Sequence, residues 1–188
     1  MDEPGPRGAP WGCILAGGAL LLVFTGLICS GFGWLFGTRM MPEEPIQTVS
    51  SFDPGDDFVV LTVKELYPDP YGYGVTLELQ APDGRILPMI IGTAEADAIT
   101  RELDGLVMPR PMTHDLLQRV IEGLDAELTA VTIRKLEDQA FHAALYVERA
   151  DGTLVQIDSR SSDAVALALR AAAPIYGDED VLEDAGVR

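Results

Sequence analysis

The sequence predicts an α+β domain: a compact unit of mainly antiparallel or mixed β-sheet with about three helices, preceded by one transmembrane helix. Three observations predict it. From Phe58 onward, segments of period-two hydrophobicity come in groups of three, with helical segments between and after the groups. That order, β-β-β-α-α-β-β-β-α, belongs to α+β architecture rather than to a parallel βαβ repeat. The stretch is about 130 residues long, enough for a proper core. Ahead of it, no charged residue occurs between Arg7 and Arg39.

In chain order, residues 1–12 form a short tail and 13–37 the membrane helix. Ile14 to Phe36 is a run of 23 mostly apolar residues, about 34 Å at the helical rise, enough to cross a hydrocarbon core of about 30 Å. Trp11, Trp34 and Phe36 stand near its ends, where aromatic rings favour the interface. A cleaved signal peptide fits less well, because the run is long, the start is Asp2-Glu3 and no Ala-x-Ala follows. With one arginine flanking each end, Arg7 and Arg39, the side of the membrane taken by the soluble domain cannot be read. The two cysteines lie in or beside the span, so no disulfide reports the compartment of the rest. Residues 38–57 carry Pro42, Pro45 and Pro54 among acids and serines and read as an extended linker. The domain is expected over 58–188.

Within it, Val59, Leu61 and Val63 alternate with Val60, Thr62 and Lys64 on a first strand. The turn-rich YPDPYGYG (Tyr67–Gly74) follows, then a strand carrying Val75, Leu77 and Leu79, the Pro82-Asp83-Gly84 turn, and a strand over Arg85–Ile91. Thr93 is expected to cap a helix to about Leu103, with Gly105 past its end. Pro109 and Pro111 keep the next loop extended. Thr113 is expected to cap a second helix with an apolar face of Leu116, Leu117, Val120, Ile121 and Leu124. Strands follow over Glu127–Leu136, Phe141–Val147 and Leu154–Asp158. Ser161 or Ser162 then caps DAVALALRAAA, apolar on nearly every side and therefore buried, in the core or in a subunit contact; Pro174 stops it. The acidic tail from Gly177 has room for one helical turn.

Charge limits function. Of 30 acidic residues four precede residue 46, and of 13 basic residues two do, leaving 26 against 11, or −15, on the soluble part. Such a field repels nucleic acid and anionic lipid at long range. Any nucleic-acid chemistry must overcome it locally, with a metal or a concentrated arginine site.

Three blocks carry a resemblance: LPMIIGTAEADAI (Leu87–Ile99), RPMTHDLL (Arg110–Leu117) and IDSRSSDAVALALRAAAPIY (Ile157–Tyr176). Together, in this order, they resemble the signature blocks of the bifunctional nuclease domain family, over about Phe58 to Leu182. The resemblance implies a self-associating α+β domain with non-specific DNase and RNase activity, hence a nucleic-acid substrate and a homodimer or higher oligomer. Two features depart from the family's pattern. Arg160-Ser161-Ser162-Asp163 stands where Arg-Pro-Ser-Asp is usual, and the membrane anchor lies outside the common plan.

Phosphodiester cleavage needs an activated water and neutralised phosphate charge, commonly supplied by Mg²⁺ or Mn²⁺ on carboxylates and sometimes by a histidine base. On that chemistry His114, Asp115, Asp163 and Glu95 are the catalytic candidates. Asp115, Asp158 and Asp163 are the candidate metal ligands, and Arg110 and Arg160 the phosphate-binding pair. A histidine suits the role of base because its ordinary pKa lies near 6.5. The free N–H groups at the helix starts add an anion site. Capping and dipole effects are the bland alternative for the same carboxylates. Asp97 and Arg101 read as a surface pair, and His142 as exposed. No recognised metal motif, phosphate loop or nucleophile elbow occurs. The rival function is a non-catalytic module at the membrane that dimerises through its apolar last helix and binds a protein partner.

Overall fold

The computed structural model describes residues 46–187. The tail expected over 1–12, the membrane helix expected over 13–37 and the first part of the linker lie outside the described residues. Among those described, no helix is long and apolar enough to cross a membrane.

The described residues form a mixed α+β domain with eight strands and four helices. The strands are β1 (Gln47–Val49), β2 (Phe58–Pro68), β3 (Val75–Gln80), β4 (Ile86–Ile91), β5 (Ala126–Glu137), β6 (Ala140–Arg149), β7 (Leu154–Arg160) and β8 (Ile175–Asp178). The helices are α1 (Thr93–Leu103), α2 (Thr113–Gly123), α3 (Ser161–Ala171) and α4 (Glu179–Ala185). One sheet runs in the order β1-β7-β6-β5-β8-β2-β3-β4. Neighbours are antiparallel except β5 and β8, which run parallel. The long β2 joins the two halves: Phe58–Leu61 pair with β8, Thr62–Pro68 with β3, and the register shifts between Val63 and Glu65. Pro88 sits in β4, at the sheet edge, where a missing N–H breaks no ladder.

Helices α1, α2 and α3 lie on one face, with α3 in the middle, packed on α1, α2 and strands β5, β6 and β7. Ala164, Val165, Ala166, Leu167 and Ala168 are all fully buried. Of the two places expected for this apolar helix, the domain core is the one it occupies, so it offers no surface for dimerisation. Truncating Leu167 to alanine would cost about 2–5 kcal/mol. The left-handed Ala172 closes the helix, with Ala173 N–H donating to Ala168 O (2.9 Å), and Pro174 leads into β8.

Two expectations need correction, and the surroundings of one helix face, left open by the sequence, are now defined. Part of the stretch read as linker is structured: β1 pairs with β7, and the Phe52 ring stacks on Tyr146 with centroids 4.1 Å apart, covering a small cluster on the sheet face opposite the helices. The apolar face of α2 is largely exposed, with Leu116 at 56%, Val120 at 47% and Leu124 at 73% accessibility, and only Ile121 packs on the core. Finally, β8 and the full helix α4 replace an expected single turn; Asp178 caps α4 by accepting from Asp180 N–H.

Candidate active site

Strand β4 delivers the chain into α1 through Gly92, which is the N-cap; Thr93, expected to cap, is the first helical residue. Glu95 in the first turn folds back over Gly92. A Cβ built on that glycine would lie 2.3 Å from Glu95 Oε2. The absent side chain makes room for the carboxylate. At α2 the N-cap is Met112 rather than Thr113, and Asp115 Oδ2 accepts from Met112 N–H (2.8 Å). At α3 the N-cap is Arg160, the last residue of β7, rather than a serine; Asp163 stands in the first turn, where the helix dipole favours a negative charge.

These three helix starts meet at a cleft of about 260 Å³. His114, buried on α2, places Nε2 3.0 Å from Asp163 Oδ1. Arg160 Nε donates to Asp163 Oδ2 (2.7 Å) and its Nη2 to Glu95 Oε1 (2.8 Å). Residues separated by 49 and 65 positions in the chain are thus joined in one network. The Arg160 side chain is 68% exposed, and its Nη1 makes no hydrogen bond among the described residues, so the guanidinium keeps a donor face toward solvent.

Burial alone would raise the Asp163 carboxyl, but hydrogen bonds to Arg160 and His114 outweigh it and hold it below its ordinary 3.8. Asp163 is therefore ionised at neutral pH. An ionised carboxylate can only accept, so His114 Nε2 carries a proton toward Asp163, and Nδ1 is the ring nitrogen not held by it.

Asp115 lines the same cleft with both oxygens already committed. Oδ1 accepts from Arg170 Nε (2.5 Å) and Oδ2 from the Met112 amide, and these bonds, Arg170 first, lower the Asp115 carboxyl below 3.8. Arg170 went unnoticed in the sequence, although an arginine inside an otherwise apolar helix was the signal. Its side chain is 7% exposed. It also donates to Ala166 O (2.7 Å) and Ala98 O (3.1 Å), tying α1, α2 and α3 together.

Two candidates lie apart. Arg110 is exposed and lines an adjoining cleft of about 460 Å³ together with Arg119. Asp158 is on the opposite side of the sheet, in a separate shallow cleft with Arg134, His142 and Asp178. There His142, expected to be exposed, is half-buried, and its Nε2 has no hydrogen-bond partner among the described residues. Asp97 and Arg101 form the expected surface pair, at 2.7 Å.

The donor set does not fit a resident divalent ion. Asp163 and Glu95 share Arg160, Asp115 is held by Arg170, and Asp158 is elsewhere. Among the described residues no three His, Cys, Asp or Glu side chains are grouped to hold a metal. The arrangement instead concentrates arginine. Five of the 11 basic residues after position 45 (Arg101, Arg110, Arg119, Arg160 and Arg170) line the two adjoining clefts. Glu95, Asp97, Glu102, Asp115 and Asp163 line the same clefts, so formal charge balances there, in contrast to the 26 acids against 11 bases after position 45 as a whole.

Comparison with known proteins shows the family. The sequence model of the bifunctional nuclease domain matches residues 77–188, which include every residue of both clefts. An uncharacterized protein of Mycobacterium tuberculosis (strain ATCC 25618 / H37Rv) is 41% identical over 118 residues, 63% of this chain and 70% of its own length. Bifunctional nuclease 1 of Arabidopsis thaliana is 22% identical over 116 residues, 61% of this chain and 36% of the plant protein. Bifunctional nuclease 1 of Oryza sativa subsp. japonica is 20% identical over 118 residues, again 36% of its length. This chain therefore spans about a third of those plant relatives.

Proposed function

We propose, from the premise that the chain belongs to the bifunctional nuclease domain family, that it hydrolyses phosphodiester bonds of DNA or RNA in the cleft between α1, α2 and α3. The observation that carries this reading is the joining of His114, Asp163, Arg160 and Glu95 into one network lining an open cleft. Asp163 orients His114 and balances the charge the ring gains when protonated. His114, through the nitrogen not held by Asp163, takes a proton from water as the water oxygen bonds to phosphorus. Arg160 supplies fixed positive charge to the phosphate oxygens, its unused N–H groups donating while Glu95 and Asp163 hold its orientation. The leaving oxygen departs with its electron pair and is protonated from solvent in the open cleft. No step runs through a metal. A divalent ion could use Glu95 and Asp163 only by displacing Arg160.

Assay of the full chain on a single-stranded oligonucleotide and on bis(4-nitrophenyl) phosphate tests this. His114→Gln is expected to lower kcat by about 10²–10⁴-fold, the usual contribution of a positioned acid or base, and EDTA to leave the wild-type rate unchanged. Equal rates for wild type and His114→Gln would remove the base. Loss of activity in EDTA would show that a metal takes the place of Arg160.

The anchor belongs to the same proposal: the apolar run over 13–37 fixes the nuclease domain to a membrane. Full-length chain that leaves the membrane fraction in alkaline carbonate would contradict it. A second reading, a non-catalytic module that pairs with another copy or a protein partner, has one observation of its own, the exposed apolar face of α2. A self-associating chain with no cleavage of either substrate would select it.

A further inference from the structure

The cleft lined by Arg110 and Arg119 has no part in the chemistry derived above. It abuts the His114 cleft, and the two share Glu102, Leu106, Met108 and Asp115 as walls. Its volume, about 460 Å³, exceeds that of the first. Its arginines differ from their neighbours in one respect. Arg101, Arg160 and Arg170 are each locked to a carboxylate within 2.8 Å. Arg110 and Arg119 are exposed and make no salt bridge or side-chain hydrogen bond among the described residues. Arg134 and Arg149 are likewise without a salt bridge among the described residues, but Arg110 and Arg119 are the two that share one cleft, and that cleft adjoins the one holding His114. Of the acids on the cleft wall, Asp115 is hydrogen-bonded to Arg170 and meets Arg119 only through longer-range attraction, and Glu102 lies 3.9 Å from the Arg170 guanidinium. Pro109 and Pro111 flank Arg110 and restrict the backbone on both sides of it, so the guanidinium extends from a stiff stem.

We infer that this second cleft is a phosphate subsite, in which Arg110 and Arg119 bind the phosphate next to the scissile one. The substrate is then a polynucleotide strand rather than a mononucleotide or a small diester. The inference rests on the proposed function for the identity of the first cleft, but it makes its own prediction for binding. Each arginine that contacts a phosphate contributes a charge-assisted hydrogen bond, so its loss weakens the strand's binding by about tenfold or more. Each lost contact also lowers the slope of log affinity against log salt by about 0.7 for a single strand.

The test uses the full chain carrying Arg110→Ala with Arg119→Ala, with Arg134→Ala and Arg149→Ala together as a control of equal charge change away from both clefts. Affinity for a fluorescent single-stranded oligonucleotide is read by anisotropy across a salt series, and kinetics on the oligonucleotide and on bis(4-nitrophenyl) phosphate. The first pair is expected to raise Kd and KM for the oligonucleotide about tenfold or more, to flatten the salt slope, and to leave kinetics on the small diester unchanged. Equal shifts from the control pair would overturn the inference by reducing the effect to net charge. Unchanged oligonucleotide affinity would overturn it directly. A matching loss on the small diester would move the two arginines into the first cleft. Should the wild type cleave neither substrate, the proposed function fails, while the anisotropy arm still decides whether the cleft holds a strand. Both side chains are exposed, so an unaltered thermal melt is expected for the variant.

Discussion

Arg170 bears the geometry of the cleft, and its removal is the prediction that the structure specifies most fully. Arg170→Met keeps the length and apolar bulk of the stem inside α3 but deletes three donors. The Asp115 carboxylate loses its shortest bond, and the carbonyls of Ala98 and Ala166 lose their side-chain donor. The side chain is 7% exposed and Asp115 29%, so water replaces these bonds only on the Asp115 side. Removing one partner of a buried pair costs about 3–5 kcal/mol. For a domain of this size, at about 3 °C per kcal/mol, the melting temperature falls by about 10 °C. Urea unfolding of the full chain, followed by far-UV circular dichroism because both tryptophans precede residue 46, measures the loss. Asp115→Leu alone should also destabilise, and the double variant should lose less than the sum of the two, since each single change strands the other's partner. A loss below about 1 kcal/mol, the level of a surface ion pair, or strict additivity, would refute the view that Arg170 clamps the three helices.

Further outcomes follow from the same geometry. Gly92→Ala puts a Cβ where Glu95 Oε2 now lies, so it is expected to displace Glu95, free Arg160 from one of its two carboxylates and raise KM for the oligonucleotide; unchanged kinetics would detach Glu95 from the site. The carboxyls of Asp115 and Asp163 are held below 3.8 in the fold. Their contribution to stability is therefore complete above about pH 3.8 and lost as pH falls through the lower folded values. Thermal melts from neutral pH downward should show that loss, and Asp115→Asn with Asp163→Asn should flatten the curve; an equally steep acid limb in the double variant would place the titration elsewhere. Val120→Asp with Leu124→Asp on the exposed face of α2 is expected to convert a self-associated chain to monomer in sedimentation without altering the melt. An unchanged oligomer would show that α2 is not the contact.

Much of the fold was legible because period-two and helical patterns here coincide with the burial of one face of each element. Leu77 and Leu79, and Val131 and Ile133, are buried on their strands as their alternation implies. What escaped was short or tertiary. Strand β8 has four residues after a proline, and its pairing is supplied by β2 and β5 rather than by any local pattern. Its Gly177 faces Leu61 Cδ1, which would lie 2.8 Å from a Cβ there, a constraint invisible without the partner strand. The turn from β5 to β6 uses Asp138 and Gln139, both with positive φ, in place of the glycine a reader looks for. The apolar stripe on α2 could not be placed from the sequence, because periodicity says that a face exists, not that anything covers it. At the site, threonine and serine beside the helix starts suggested caps, whereas the neighbouring Gly92, Met112 and Arg160 hold those positions. The meeting of His114, Asp163, Arg160 and Glu95 could be posed from the sequence only as a question of convergence. Arg110, placed beside them there, belongs to the neighbouring cleft, and Asp158 to the far face of the sheet.

The claim beneath these readings is that the Asp163–His114 pair and Arg160 act together on a phosphodiester. Its most direct test is kcat/KM on a single-stranded oligonucleotide, in EDTA, for the full chain beside His114→Gln and Asp163→Asn, each variant first shown by its melt to be folded. The account predicts wild-type cleavage without added metal, reduced about 10²–10⁴-fold in the His114 variant and substantially in the Asp163 variant. Cleavage equal in all three proteins, or absent from the wild type until a divalent ion is added, would contradict it.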